Sequence, residues 1–448
     1  MLRRCAISFF LALGCTCAGA RTRPHYGGTL HVEIAGDAWN GDEGLARRLV
    51  FDGLTRLDAS GTVRPALAVE WQSDNGGHRW QFRLRPGVQF HDGSPLTAAA
   101  VVQSLNVSCN ASCPWSAVHA VGSAVVFTGD SPMPNLPSLL AGDAFLIAET
   151  VTPDGKTPTD PVGTGAFRFT SYKDGVMELA ENESCWQGRP FADGIEIRTH
   201  RATRDQWLDL SVGRADVVEV PAGQLRQAQQ QRLTLIVSGA VELLALEISD
   251  NGALANPMLR GSIAAAVDRA ALYNVIFQKQ GEVTASLLPQ ERTGYGFLFP
   301  TDRDLNKAHE LRGGLSSPPL TLGYDGDGAM QLAAQRIALN LHEAGFDVTV
   351  SAQPEQHADL MLRRLPLECG AAPAAMEGLL RAAGETVAVP SLGVAALYRA
   401  EKEFLDRKTL APLLDLPRAY AVGPQVRDMA LGAQGTPDLA SASLEDAP

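Results

Sequence analysis

Asp37, Trp39 and Asn40 stand close together at the end of a short alternating segment, TLHVEIAGDAWN. An acid, an indole and an amide in one turn can hydrogen-bond to a bound solute and stack on it. Strand ends facing a cleft are where α/β proteins place such groups. The competing reading is an indole that only covers a domain edge. Other chemistry-bearing residues are less directive. The nine histidines are dispersed, and His91 sits in an FHDG turn that suits a structural role better than a catalytic one. Cys109 and Cys113 form a C-x-x-x-C pair with no histidine nearby, which argues for a local disulfide over a metal site. The GTG at 163–165 precedes a strand and does not open a helix, so it is no phosphate loop; a close backbone crossing between lobes is expected there. The DGDG at 325–328 lacks the acidic ladder and closing Glu of a calcium loop and reads as a turn. There is no G-x-S-x-G elbow, H-E-x-x-H pair, Walker loop or dinucleotide fingerprint before a helix. A protein that is not an enzyme, with no metal and no cofactor, is the resulting expectation.

The elements that must position these residues are α/β in pattern. Alternation or apolar runs predict strands over 29–35, 121–128, 167–172, 176–181, 195–199, 216–220, 243–248, 320–324, 346–351, 358–362 and 409–416. Helical spacing predicts helices over 98–105, 205–212, 224–232, 329–344, 371–383 and 392–406, and another opening at Asn256-Pro257, where proline at the first helical position loses nothing. Thr97 is the expected N-cap of the first helix. Residues 150–160 read as a polar surface connection, 289–299 as a loop presenting Tyr295, Phe297 and Phe299, and 432–448 as a loose tail.

The chain has 448 residues, enough for two or three domains, with 45% hydrophobic, 20% charged and 6% aromatic residues. Its net charge of −12 disfavours nucleic acid and anionic membrane surfaces as partners. Residues 1–20 read as an export signal: Arg3 and Arg4 form a basic start, 5–13 an apolar stretch too short to span a membrane, and AGA at 18–20 a cleavage pattern. LGC at 13–15 offers lipid anchoring as an alternative, although Ala12 stands where such boxes carry Leu; Arg3-Arg4 suggests twin-arginine export, but the following residues fit it poorly. Cleavage after Ala20 leaves Cys109, Cys113, Cys185 and Cys369 in a compartment that permits disulfides. No other run is long enough to cross a membrane.

The words FDGLTRLD, PALAVEW and FRLRPGVQFHDGSPLTA, in that order within 50–104, resemble the family 5 extracellular solute-binding proteins of ABC importers. This family includes receptors for oligopeptides, dipeptides, nickel chelates and some sugars. GGTLHVEI resembles its mature start, 160–198 (DPVGTGAFRF through GIEIR) its second signature, and 256–281 its third, with Val267-Asp268-Arg269 in the usual place. LAPLLDLPRAYAV resembles its closing strand, and the resemblance runs from about residue 26 to 426.

The resemblance implies a periplasmic-binding-protein-like fold of type II. It comprises two α/β lobes of mixed sheets flanked by helices, an extra N-terminal subdomain, and a ligand cleft between lobes. The implied segments are 21–49, 161–245 and 407–448 for lobe I, 50–160 for the subdomain and 246–406 for lobe II. It further implies a periplasmic monomer that captures a peptide-like solute and passes it to ABC permease subunits in the inner membrane. The alternatives are a metal chelate, glycan fragment or acidic small molecule as ligand, and more distantly a secreted hydrolase. In peptide-binding members the strand matching 358–362 leads to a Trp and an Asp that contact the ligand and its α-ammonium group. Here it leads to RRLPLEC, without Trp and in a shortened lobe. Expected ligand contacts are therefore Arg363, Arg364 and Glu368 from lobe II, with Glu368 in the place of the Asp, and Asp37, Trp39 and Asn40 from lobe I. Two arginines facing the cleft would favour a carboxylate-bearing ligand.

Overall fold

A computed structural model describes residues 25–39, 44–58, 61–108, 113–149, 160–296, 298–326, 328–352, 358–367, 370–385, 389 and 393–445. The export signal, the 150–159 connection, Asn40, Cys109, Phe297, Glu368 and Cys369 lie outside these residues.

Eleven strands form one mixed sheet that runs through both lobes. Its axis is a pair of long antiparallel strands, Thr234–Ile248 and Leu410–Val422. At one end they are flanked by Leu360–Pro366, Leu320–Tyr324 and Val348–Ser351, and at the other by Val217–Glu219, Thr29–Glu33, Gly194–Arg198, Val176–Glu181 and Phe167–Lys173. Leu410–Val422 is buried along almost its whole length, which explains its near-continuous apolar sequence: a central strand covered on both faces has no solvent side to mark with polar residues. Two prolines interrupt the ladder. Pro412 pairs with Ala245 and Pro417 with Ala240, and register shifts fall at both places. A proline has no N–H to give to a neighbouring strand, so bulges collect where it sits. The sequence reading of a strand over 243–248 therefore captured less than half of a crossover that begins at Thr234.

Separate cores lie on the two parts of the sheet. Leu246, Leu322, Ile337 and Leu360 belong to lobe II; Leu30, Val32, Ile195 and Val217 belong to lobe I. The subdomain has its own four-stranded antiparallel sheet, ordered Ala68–Ser73, Arg79–Leu84, Ala124–Thr128, Ala117–Val121. Phe127 meets Phe82 and Trp115 edge-on at 5.4 and 5.1 Å in its core. Thr97 caps the helix Ala98–Ser108 by accepting from the Ala100 N–H at 3.1 Å, and Asn256 caps Pro257–Ala266 by accepting from Met258 at 2.9 Å.

Three expectations need correction. Residues 432–445 are no loose tail: short pairs join Val426–Arg427 to Ser443–Leu444 and Ala430–Leu431 to Pro437–Asp438, and Leu439 and Ala442 are fully buried in the lobe I core. The composition is small and polar, yet a few well-placed apolar residues suffice to dock the segment. Tyr295 is buried and Phe299 stacks on Tyr398 at 5.1 Å, so these two aromatics pack against the protein and are not presented outward. The GTG does make a close crossing, but against residues 49–51 and not between the two ligand-facing lobes: a Cβ at Gly163 or Gly165 would overlap the backbone carbonyls of Val50 and Leu49.

That crossing fastens the subdomain to lobe I. Asp52 accepts from the Trp186 indole at 2.8 Å, the Thr164 hydroxyl at 2.9 Å and the Gln187 amide at 3.3 Å. The Arg85 guanidinium lies over Trp186 at 4.5 Å. His91 closes the junction as the structural residue expected: its Nδ1 accepts from the Gly163 N–H at 3.3 Å and its Nε2–H donates to the Gly165 carbonyl at 3.0 Å. Those roles require the neutral ring, and burial holds its pKa below the ordinary 6.5. As pH falls from about 6.5 toward that lowered value, the unfolded chain takes up a proton that the folded chain does not, so stability falls. His91→Gln should flatten this part of the melting-temperature profile; an unchanged slope between about pH 6.5 and 5 would rule the assignment out.

Candidate functional site

Between the lobes, where the long strands cross, lies a cavity of about 350 Å³. Lobe I lines it with Ile34–Asp37, Thr203 and the 219–222 turn; lobe II contributes Gly326 and Arg364; Glu242, Arg418 and Tyr420 come from the crossover strands. The lobes meet tightly beside it, since a Cβ at Gly223 would lie 2.8 Å from the Ala329 Cβ.

Charges of both signs line it. Glu242 accepts from Arg418 Nε at 2.9 Å, both side chains being 9% exposed, and its other oxygen is 3.9 Å from Arg364 Nη1. Two guanidinium groups thus converge on one carboxylate. In the same lining, Glu219 accepts from the Ala35 N–H at 2.6 Å and Asp37 accepts from the Trp39 N–H at 2.7 Å. The bulges on either side of Ala240, opposite Pro417, lie directly before Glu242 in the ladder.

Of the expected contact residues, Asp37 and Arg364 line the cavity. Trp39 does not: it packs edge-on against Phe51 at 5.6 Å and Phe169 at 6.3 Å, at the side of the lobe I core. Arg363 does not either. Adjacent strand residues point to opposite faces, so Arg363 lies on the side of Ala245 and Leu365 and pairs with Glu247 at 3.0 Å. Burial raises the Glu247 carboxyl even with that arginine beside it. Asn40 and Glu368 are outside the described residues. Cys113 is disulfide-bonded, Cys185 is a buried free thiol, and Cys109 is outside the described residues. Sequence reading missed Glu219, Glu242 and Arg418; a charge inside a largely apolar strand was the available signal for the last two.

Among the described residues no group of three or more His, Cys, Asp or Glu is placed to hold a metal ion, and no helix is long and apolar enough to cross a membrane.

The model of the bacterial extracellular solute-binding proteins, family 5 middle region, matches residues 62–366. The probable di/tripeptide-binding protein 5 of Pseudomonas aeruginosa (strain UCBPP-PA14) is 24% identical over 349 residues, 67% of this chain and 66% of that protein. Oligopeptide-binding protein AppA of Bacillus subtilis (strain 168) is 22% identical over 315 residues, 64% of this chain and 57% of its own length. The matched stretch thus spans less than two thirds of either relative. The structure of Bacillus subtilis AppA in complex with a nonapeptide superposes with a TM-score of 0.81 at 17% identity, covering 95% of this chain and 100% of that one. NikA of Staphylococcus aureus in complex with Ni(L-His)2 superposes with a TM-score of 0.80 at 15% identity, covering 93% and 100%. The fold is the two-lobed one these structures share, and because the family model spans more than half of the residues, this chain belongs to the bacterial extracellular solute-binding proteins of family 5.

Proposed function

We propose that the chain is the solute receptor of an ABC import system and captures a short peptide with free termini between its lobes. The carrying observation is that the cleft lining holds groups of both signs: Arg364 and Arg418 suit a terminal carboxylate, and Asp37 and Glu219 suit an α-ammonium group. A cavity of about 350 Å³ suits a ligand of a few residues. A ligand held by both lobes stabilises the closed arrangement, because only that arrangement contacts it from both sides, and a membrane permease then reads the closed form. The chain works in the periplasm as a monomer and performs no chemistry itself. We also propose the segment boundaries read from the sequence, with lobe I built from 21–49, 161–245 and 407–448, and a Cys109–Cys113 disulfide.

Titration with tri-alanine tests this by calorimetry. Free tri-alanine should bind, the N-acetylated and C-amidated forms should bind more weakly, and Arg364→Ala should cost about 1.5–3 kcal/mol, or roughly tenfold to 150-fold in affinity. A second reading, an acidic small solute, is favoured by the pair of arginines. Stabilisation by small dicarboxylates with no response to any free peptide would replace the first reading by the second.

A further inference from the structure

Away from the cleft, lobe II holds a cavity of about 560 Å³ between the helices Pro257–Ala266, Leu305–Arg312 and Val394–Asp406 and the start of Leu410–Val422. Part of its wall is apolar, formed by Ala264, Phe299, Leu311, Tyr398, Leu405 and Pro412 among others. At one end stands Arg269, only 7% exposed. Its Nε donates to the Pro412 carbonyl at 2.8 Å, and among the described residues no carboxylate forms an ion pair with it. Burial alone pulls the guanidinium down to about 10. Buried arginines are ordinarily paired, because an uncompensated charge taken from water is costly. Lys307, Lys402 and Lys408 line the same cavity. Lys408 is held below its ordinary value by burial and by Lys307, Lys402 and Arg269, against the single opposing pull of Asp406. Asp406 is itself engaged by Lys402 at 2.6 Å and Lys408 at 3.9 Å, and Asp304 is engaged as the cap of Leu305–Arg312. The remaining acid in the lining is Asp302.

We propose that this cavity is a second binding site, separate from the interlobe cleft, for a small amphipathic carboxylate. Its head pairs with Arg269 and Lys408, and its apolar body lies along Phe299, Tyr398 and Leu405. The cavity supplies what a fatty-acid-like anion needs: a buried cation with spare donors at one end and a wall of aliphatic and aromatic carbon along its length. The cleft, by contrast, lies between the lobes and carries Asp37, Glu219 and Glu242 beside its two arginines.

Calorimetry with octanoate on the full chain tests this, with octyl glucoside as a neutral comparator of similar tail. One octanoate should bind per chain, and octyl glucoside should bind much more weakly. Ala264→Phe, which fills the cavity, should abolish octanoate binding. Lys408→Gln, nearer the surface and less demanding of the fold, should weaken it about tenfold or more. Arg364→Ala, in the cleft, should leave it unchanged. Absence of octanoate binding, equal binding of octyl glucoside, or loss in Arg364→Ala with retention in Ala264→Phe would each overturn the proposal, the last by assigning the ligand to the cleft.

Discussion

Gly163→Ala should destabilise the chain by about 3 kcal/mol or more, among the largest effects of any single methyl group in it. The new Cβ would overlap the Val50 carbonyl oxygen and crowd the Phe51 ring, and backbone cannot step aside as a flexible side chain can. The same residue donates its N–H to His91 and accepts from the His91 N–H at 2.9 Å, so any shift that relieves the overlap also breaks the junction. Trp186, bonded to Asp52 beside this crossing, is a natural reporter. Urea titration should show its fluorescence change at a lower denaturant concentration in the variant. A midpoint equal to that of the parent chain would mean that the crossing is looser than its geometry.

Glu242→Ala should be comparably severe, about 3–5 kcal/mol, because it breaks a buried charge pair with Arg418 and removes the counter-charge next to Arg364. Removing both partners is a smaller insult than removing one, so Glu242→Ala with Arg418→Met should recover a substantial part of the loss. Chemical denaturation of the two single variants and the double variant closes the cycle. Simple additivity of the two losses would show that the pair is not coupled, contrary to the 2.9 Å bond between them. Both single variants should also lose tri-alanine binding, which separates this pair from Gly163, whose neighbourhood lies outside the cleft.

Much of the fold was legible because local chemistry and tertiary role agree in it. The Thr97 and Asn256 caps, the helix stop at Gly345 and the alternating first strand each follow from one or two residues and their immediate neighbours. The site was less legible, since residue type says what a side chain can bind but not which way it points. Arg363 and Arg364 are equivalent by composition, yet strand parity sends one to Glu247 and the other to the cleft. Trp39 has the chemistry of a stacking platform and is spent on Phe51 and Phe169. Glu242 and Arg418 are far apart in sequence and each sits in an apolar run, so their pairing becomes visible only when the crossover strands lie side by side. The docked segment near Leu439 escaped for a related reason: average composition dilutes the few residues that anchor it.

The fastening of the subdomain through Asp52, His91 and the 163–165 crossing bears on how the chain moves as a machine. Among the described residues the junction joins the four-stranded sheet's subdomain to lobe I, while the two-strand crossover with its proline-marked irregularities links lobe I to lobe II. The swinging part, lobe II, therefore meets a broad jaw made of lobe I and the subdomain together. Away from the crossover, Gly370 comes so close to Ser138 that a side chain there would collide, so lobe II also packs against the subdomain. Lobe II thus touches the joined pair at two separated places, the crossover strands and the Gly370–Ser138 approach.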